Sequence, residues 1–158
     1  MNPRQIELVQ NSFSQVLPIA EQAAAMFYAR LFTLDPTLRE LFKGDMQQQG
    51  VKLMQMMATA VHSLDDLPAL MPVLRQLGAR HSRYGVKPVD YDTVAEALLW
   101  TLAQGLGDAF TADVRAAWET FYTLAAQTMQ TVAERGDRLA SQTMQTVDER
   151  GDRLASPS

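Results

Sequence analysis

Cysteine is absent from the 158 residues. That excludes a disulfide framework, a thiolate zinc site, thiol catalysis and the covalent cofactor attachment that a Cys-x-x-Cys-His run offers. Histidine is almost as scarce, with only His62 and His81. Basic runs are missing and the net charge is −4, which argues against binding nucleic acid through a cationic surface. No stretch approaches the ~18 consecutive apolar residues of a membrane span. The opening "MNPRQIELVQ" turns amphipathic at once and has no apolar signal-peptide core, so the default expectation is a cytoplasmic protein. Period-two alternation of β-branched residues is missing too, which leaves no pattern for a sheet.

Apolar residues are plentiful, at 47%, enough for one domain with a sizeable core and room for a pocket. They recur at spacings of three and four, which predicts an all-α chain. Asn2 and Pro3 suit a helix start, followed by an apolar face of Ile6, Val9, Phe13, Val16 and Leu17. A second helix is expected from about Pro18 to Leu34, carrying Ala23, Met26, Phe27 and Leu31. "DPTLRELFKG" reads as a short helix with Asp35 as cap and Gly44 as exit. A Met-rich helix follows from roughly Gln47 to Leu64, and then the "MPVLRQLGARHSRYGVKP" segment, closed by Gly85 and Pro88. Two long helices, Asp90 to Gly107 and Thr111 to about Arg135, have Asp90 and Thr111 as expected caps.

The C-terminus repeats itself. "QTMQTVAERGDRLAS" at 127–141 returns as "QTMQTVDERGDRLAS" at 142–156, differing at Ala133 and Asp148. One tandem copy is too few for a solenoid. The division expected is therefore a domain over 1–135 and a solvated tail over 136–158, with an interaction arm through Met144, Val147 and Leu154 as the alternative.

Leu74, Leu77, His81 and Tyr84 share one helical face. His81 then has two readings. It is a buried neutral histidine bonded to a carbonyl, or a metal ligand through one ring nitrogen whose other nitrogen donates to a carbonyl about one turn earlier. His62 lies about 220° round its helix from Gln49 and is expected at the surface. With no His/Asp/Glu cluster at ligand spacing, an all-protein metal site is poorly supported. A single inward histidine in an apolar shell fits a metal held mainly by a prosthetic group, as haem iron is. Gln49 and Leu53 would then offer a polar donor beside an apolar wall, and Tyr28 a phenol next to Phe27. Each also has a plainer reading: a solvated first-turn residue, a half-exposed aromatic, and methionines as pliable core filler.

"FYARLFTLDPTLRELF", "QQQGVKLM", "LGARHSRYGV", "VDYDTVAEALLWTL" and "DVRAAWETFY" follow one another as in the single-domain bacterial haemoglobins. That family is similar to the haem domain of flavohaemoglobins, and the resemblance covers about Ile6 to Val132. Its strength lies in the series Pro36, Phe42, Gln49, His81, Tyr91 and Trp118. The resemblance implies a globin fold, a helical sandwich around a haem cleft between the Gln49 and His81 helices. It makes His81 the iron ligand of a b-type haem (iron protoporphyrin IX), with Leu77 beside it and Tyr91 as its neighbour. Phe42 would pack on the porphyrin, Gln49 and Leu53 would line the distal side, Tyr28 would be the distal tyrosine, and Lys52 would reach a propionate. The family's last-helix glutamate falls at Ala133 here, with Glu134 one residue late and about 100° away, which puts a peroxidase-like proximal network in question.

A phenol and an amide aimed at a gas ligand that gains negative charge imply tight oxygen binding. The implied functions are oxygen binding or transport and nitric oxide detoxification by dioxygenation. The latter needs a separate reductase, because only 26 residues follow Val132 and most of them are the repeat. A haem-based gas sensor and a haem-free helical interaction protein are the alternatives. A monomer or a homodimer is expected.

Overall fold

Asn2 opens the first helix by accepting the backbone N–H of Gln5, whose side chain in turn accepts the N–H of Asn2. This reciprocal pair and Pro3 in the first turn start α1 (Pro3–Val16). The computed structural model describes residues 1–131 and Arg135. Val132, Ala133, Glu134 and the expected tail over 136–158 lie outside the described residues. A 3-10 turn, Leu17–Ile19, carries the chain into α2 (Ala20–Leu34). Pro18 thus starts a tight turn and not the helix itself, and Leu17, expected on the inward face, is 40% exposed because that turn swings it outward.

Asp35 accepts the Thr37 N–H and caps a 3-10 segment, Pro36–Leu41. Asp45 then caps α3 (Met46–His62) through Gln47 N–H. Asp66 caps α4 (Leu67–Arg83), and α5 spans Pro88–Leu106. A sixth helix, α6, covers 112–131, with Thr111 accepting the Val114 N–H at its start. Among the described residues there is no strand, and the chain is all-α.

Asp90 does not cap α5 as expected. Proline fits the first helical turn, where its missing N–H costs nothing, so Pro88 begins the helix and Asp90 stands in its first turn. From there its carboxylate accepts the Lys87 N–H at 2.8 Å. Tyr84 also departs from expectation. Helix α4 ends at Arg83, Gly85 turns the chain at φ +83°, and Tyr84 is 65% exposed.

Helix α2 packs mainly on α5 and α3, and α1 lies across α3 and α5. Trp118 of α6 is fully buried, and its indole N–H donates to Ser12 Oγ of α1 at 2.8 Å. Ser12→Ala strands that N–H in the core. Leaving a buried donor unsatisfied costs about 1–3 kcal/mol, so the urea midpoint is expected to fall accordingly with an unchanged m-value. An unaltered midpoint would remove Ser12 as the indole's essential partner.

Candidate functional site

Two glycines decide how closely the helices around the site approach. A Cβ on Gly50 of α3 would lie 3.0 Å from Ala24 Cβ of α2. Without it, α2 and α3 come near enough for the Tyr28 hydroxyl to donate to the Gln49 carbonyl at 3.4 Å. Gly78 of α4 is more constrained, because a Cβ there would meet the Met129 backbone oxygen of α6 at 2.5 Å. His81 stands three residues beyond that contact, so α6 fixes the height at which its ring sits.

Tyr28 is buried, and its ring meets Phe27 and Phe42 edge-on at 5.2 Å and stacks with Phe32 at 6.0 Å. Burial pushes its phenol up to about 12, so the group stays a protonated donor at neutral pH. Gln49 is half-buried, with its amide donating to the Lys43 carbonyl at 3.4 Å. Both bonds are long and therefore weak. Leu53 and Phe42 join Tyr28 in one apolar cluster, while Lys52 is exposed on the same helix.

His81 is half-buried, and its Nδ1 lies 2.8 Å from the Leu77 carbonyl, one turn back. A carbonyl only accepts, so Nδ1 carries the proton and Nε2 keeps its lone pair. Desolvation lowers the pKa of the ring, against the Leu77 bond, and the Arg80 charge lowers it further. The imidazole is therefore neutral at neutral pH. No described residue occupies Nε2. Tyr91 is buried beside it, with ring centroids 6.2 Å apart and planes at 31°. Burial raises the Tyr91 phenol.

Tyr122 and Gly78 are contributions that the sequence reading missed. The Tyr122 hydroxyl donates to the Tyr91 carbonyl, tying α6 to the residue beside His81. Gly78 carried a readable signal: a glycine inside a helical pattern costs stability unless something must approach closely. Nothing comparable marked Tyr122. His62 is exposed at the end of α3, in keeping with its expected outward position.

The apolar core divides into two clusters instead of one. Tyr91 and Leu77 belong to the first, Tyr28, Phe42 and Leu53 to the second, and Leu98 packs against both. Of the apolar side chains packed on these clusters, Leu77 on the first, Phe42, Leu53 and Val94 on the second and Leu98 on both are only half-buried. A neutral imidazole whose Nε2 meets no described residue, in a fold that keeps several apolar side chains half-buried, fits a planar metal-bearing group to which Nε2 would supply a ligand. Among the described residues no group of three or more His, Cys, Asp or Glu can hold a bare metal ion. No described helix is long and apolar enough to cross a membrane.

A profile of the globin family matches residues 25–129. The chain is 34% identical to a neuroglobin of Tetraodon nigroviridis over 137 residues, covering 78% of this chain and 86% of that protein. A neuroglobin of Chaenocephalus aceratus is 33% identical over 146 residues, covering 83% and 92%. A flavohemoprotein of Bacillus subtilis (strain 168) is 30% identical over 129 residues, 80% of this chain but only 32% of that longer protein.

Proposed function

Since the chain belongs to the globin family and has an all-α fold, we propose that it holds a b-type haem through His81 and binds oxygen tightly. The observation that carries this reading is the His81 ring, neutral and fixed by Leu77, with Nε2 met by no described residue. The absence of cysteine leaves non-covalent attachment as the mode. Haem in this position supplies an iron that takes a diatomic gas.

The chain's own residues then divide the work. His81 gives the iron its protein ligand, with Leu77 holding the tautomer and Tyr91 packed alongside. Phe42, Leu53 and Leu77 would give the porphyrin apolar contacts and exclude water, and Lys52, exposed on α3, would be available to a propionate. Tyr28 and Gln49 would be the hydrogen-bond donors available to a bound gas that gains negative charge. Each gives up only a 3.4 Å bond to a carbonyl in that role.

Hydrogen bonds to a charged acceptor contribute about 1.5–3 kcal/mol, and about 1.4 kcal/mol is tenfold in a rate. Tyr28→Phe is therefore expected to speed oxygen dissociation from the haem-reconstituted protein at least several-fold in stopped-flow measurements. An unchanged off-rate removes Tyr28 from the site.

Tight binding suits turnover of oxygen with nitric oxide to nitrate better than oxygen delivery. That reaction consumes one electron per cycle, which we assign to a flavin-bearing reductase. The likeness to one third of a flavohemoprotein supports this, since that name joins flavin and haem in one protein. Nitrate formed in step with nitric oxide consumed, in the presence of an electron donor, tests it. Oxygen binding without nitrate would restrict the function to binding.

A further inference from the structure

The charge of this chain is unevenly placed. Overall it has 18 acidic against 14 basic residues, yet residues 67–89 contain no Asp or Glu while carrying Arg75, Arg80, Arg83 and Lys87. Three of these, Arg80, Arg83 and Lys87, surround the corner between α4 and α5. All three are exposed, and none forms an ion pair among the described residues. The two acids closest in sequence do not neutralise them. Asp90 is 6% exposed, with its carboxylate turned to the Lys87 backbone, and Asp92 lies where its charge is felt by Tyr122, on the α6 side.

Two apolar side chains stand out of the same corner: Tyr84, 65% exposed, and Val89, 62% exposed. An exposed aromatic set among unpaired cations has the composition of a docking patch, with an anchoring ring and a charged rim. The corner is also joined to the iron ligand. The Val86 N–H donates to the His81 carbonyl at 3.0 Å, and Tyr84, the first residue after α4, follows His81 by three residues.

We infer that this corner is the docking surface for the electron donor, a one-electron carrier protein with a carboxylate-lined face. The inference rests on the haem reading above and names the partner of that site. One electron leaves the reduced carrier and converts ferric to ferrous iron, and no bond or proton is exchanged. Complementary charge raises the encounter rate and fixes orientation, and the short route from Tyr84 to His81 makes the orientation useful.

The test uses the full chain reconstituted with haemin, and a plant-type [2Fe–2S] ferredoxin as the acidic one-electron carrier. Binding of the oxidised carrier is measured as a Kd, and ferric reduction by the reduced carrier as a second-order rate, at about 0.01 M and about 0.5 M salt. Arg83→Glu with Lys87→Glu is expected to weaken the Kd and slow the rate about tenfold or more at low salt, with the difference closing at high salt. Reduction by dithionite and the Soret band should be unchanged. Equal Kd and rate in variant and wild type, with a normal Soret band, overturn the docking site and leave the haem reading intact. No Soret band in the wild type overturns the haem reading and this inference with it. Salt-sensitive binding to phosphatidylserine vesicles that the variant loses, with carrier kinetics unaltered, assigns the patch to a membrane and also overturns the proposal.

Discussion

His81→Ala is expected to abolish the Soret band that the wild-type chain develops with haemin, or to weaken haem affinity by more than about a hundredfold. Losing a residue that only orients a metal ligand typically costs 10–100-fold, and the ligand itself contributes more. The fold should survive. His81 is half-buried, lies near the end of α4 and makes, among the described residues, one side-chain hydrogen bond, to Leu77 within its own helix, and alanine is the best helix former. Far-UV circular dichroism should therefore match wild type. His81→Gly supplied with free imidazole should recover the band, because the added ring occupies the vacated volume and restores a nitrogen ligand. A band unchanged in position and intensity in His81→Ala would show that iron takes its ligand elsewhere.

Gly78→Ala should lower the thermal midpoint by up to about 8 °C and loosen haem as well. The new Cβ meets the Met129 oxygen at 2.5 Å and its Cα at 2.7 Å. Both are backbone atoms of α6, so no rotamer change relieves the contact and one helix must shift. Overpacking of this kind costs about 1–3 kcal/mol or more, against about 1 kcal/mol regained from helix propensity. For a domain of this size about 1 kcal/mol moves the midpoint by 2–4 °C. Gly105→Ala is the control. Its Cβ would lie 3.3 Å from Ile19 Cδ1, the end of a flexible side chain, so its midpoint should hold or rise. Equal midpoints for the two variants would contradict the close approach of α4 and α6.

How much of this was legible beforehand depended on range. Spacings of three and four gave the helices and the all-α class, and caps such as Asn2, Asp35 and Thr111 marked starts because each acts within three residues. Errors came where two local signals competed. Pro88 can stop one helix or start the next, and only the path of the chain after Gly85 decides, which moved Asp90 from cap to first turn. The periodic stripe through His81 ran one residue too far, because a helical wheel does not register that the helix has ended before Tyr84.

At the site, the Leu77 bond to His81 could be anticipated because it lies within one turn. The contacts that hold the site in place could not. Gly78 against Met129, Tyr122 on the Tyr91 carbonyl and Ser12 on the Trp118 indole each join residues far apart in the chain. Their partners are set by how the helices cross, which no local pattern encodes.

The half-buried apolar side chains packed on the two core clusters have a consequence for the life of the protein in a cell. A newly made chain that has not met its haem leaves those side chains incompletely covered, and uncovered apolar surface invites aggregation and degradation. A group bound at a thousand times its Kd adds about 4 kcal/mol to the folded state, enough to alter standing abundance several-fold. On the proposed reading, the amount of this protein that persists would follow porphyrin supply even at constant synthesis, and its level would report the iron status of the cell.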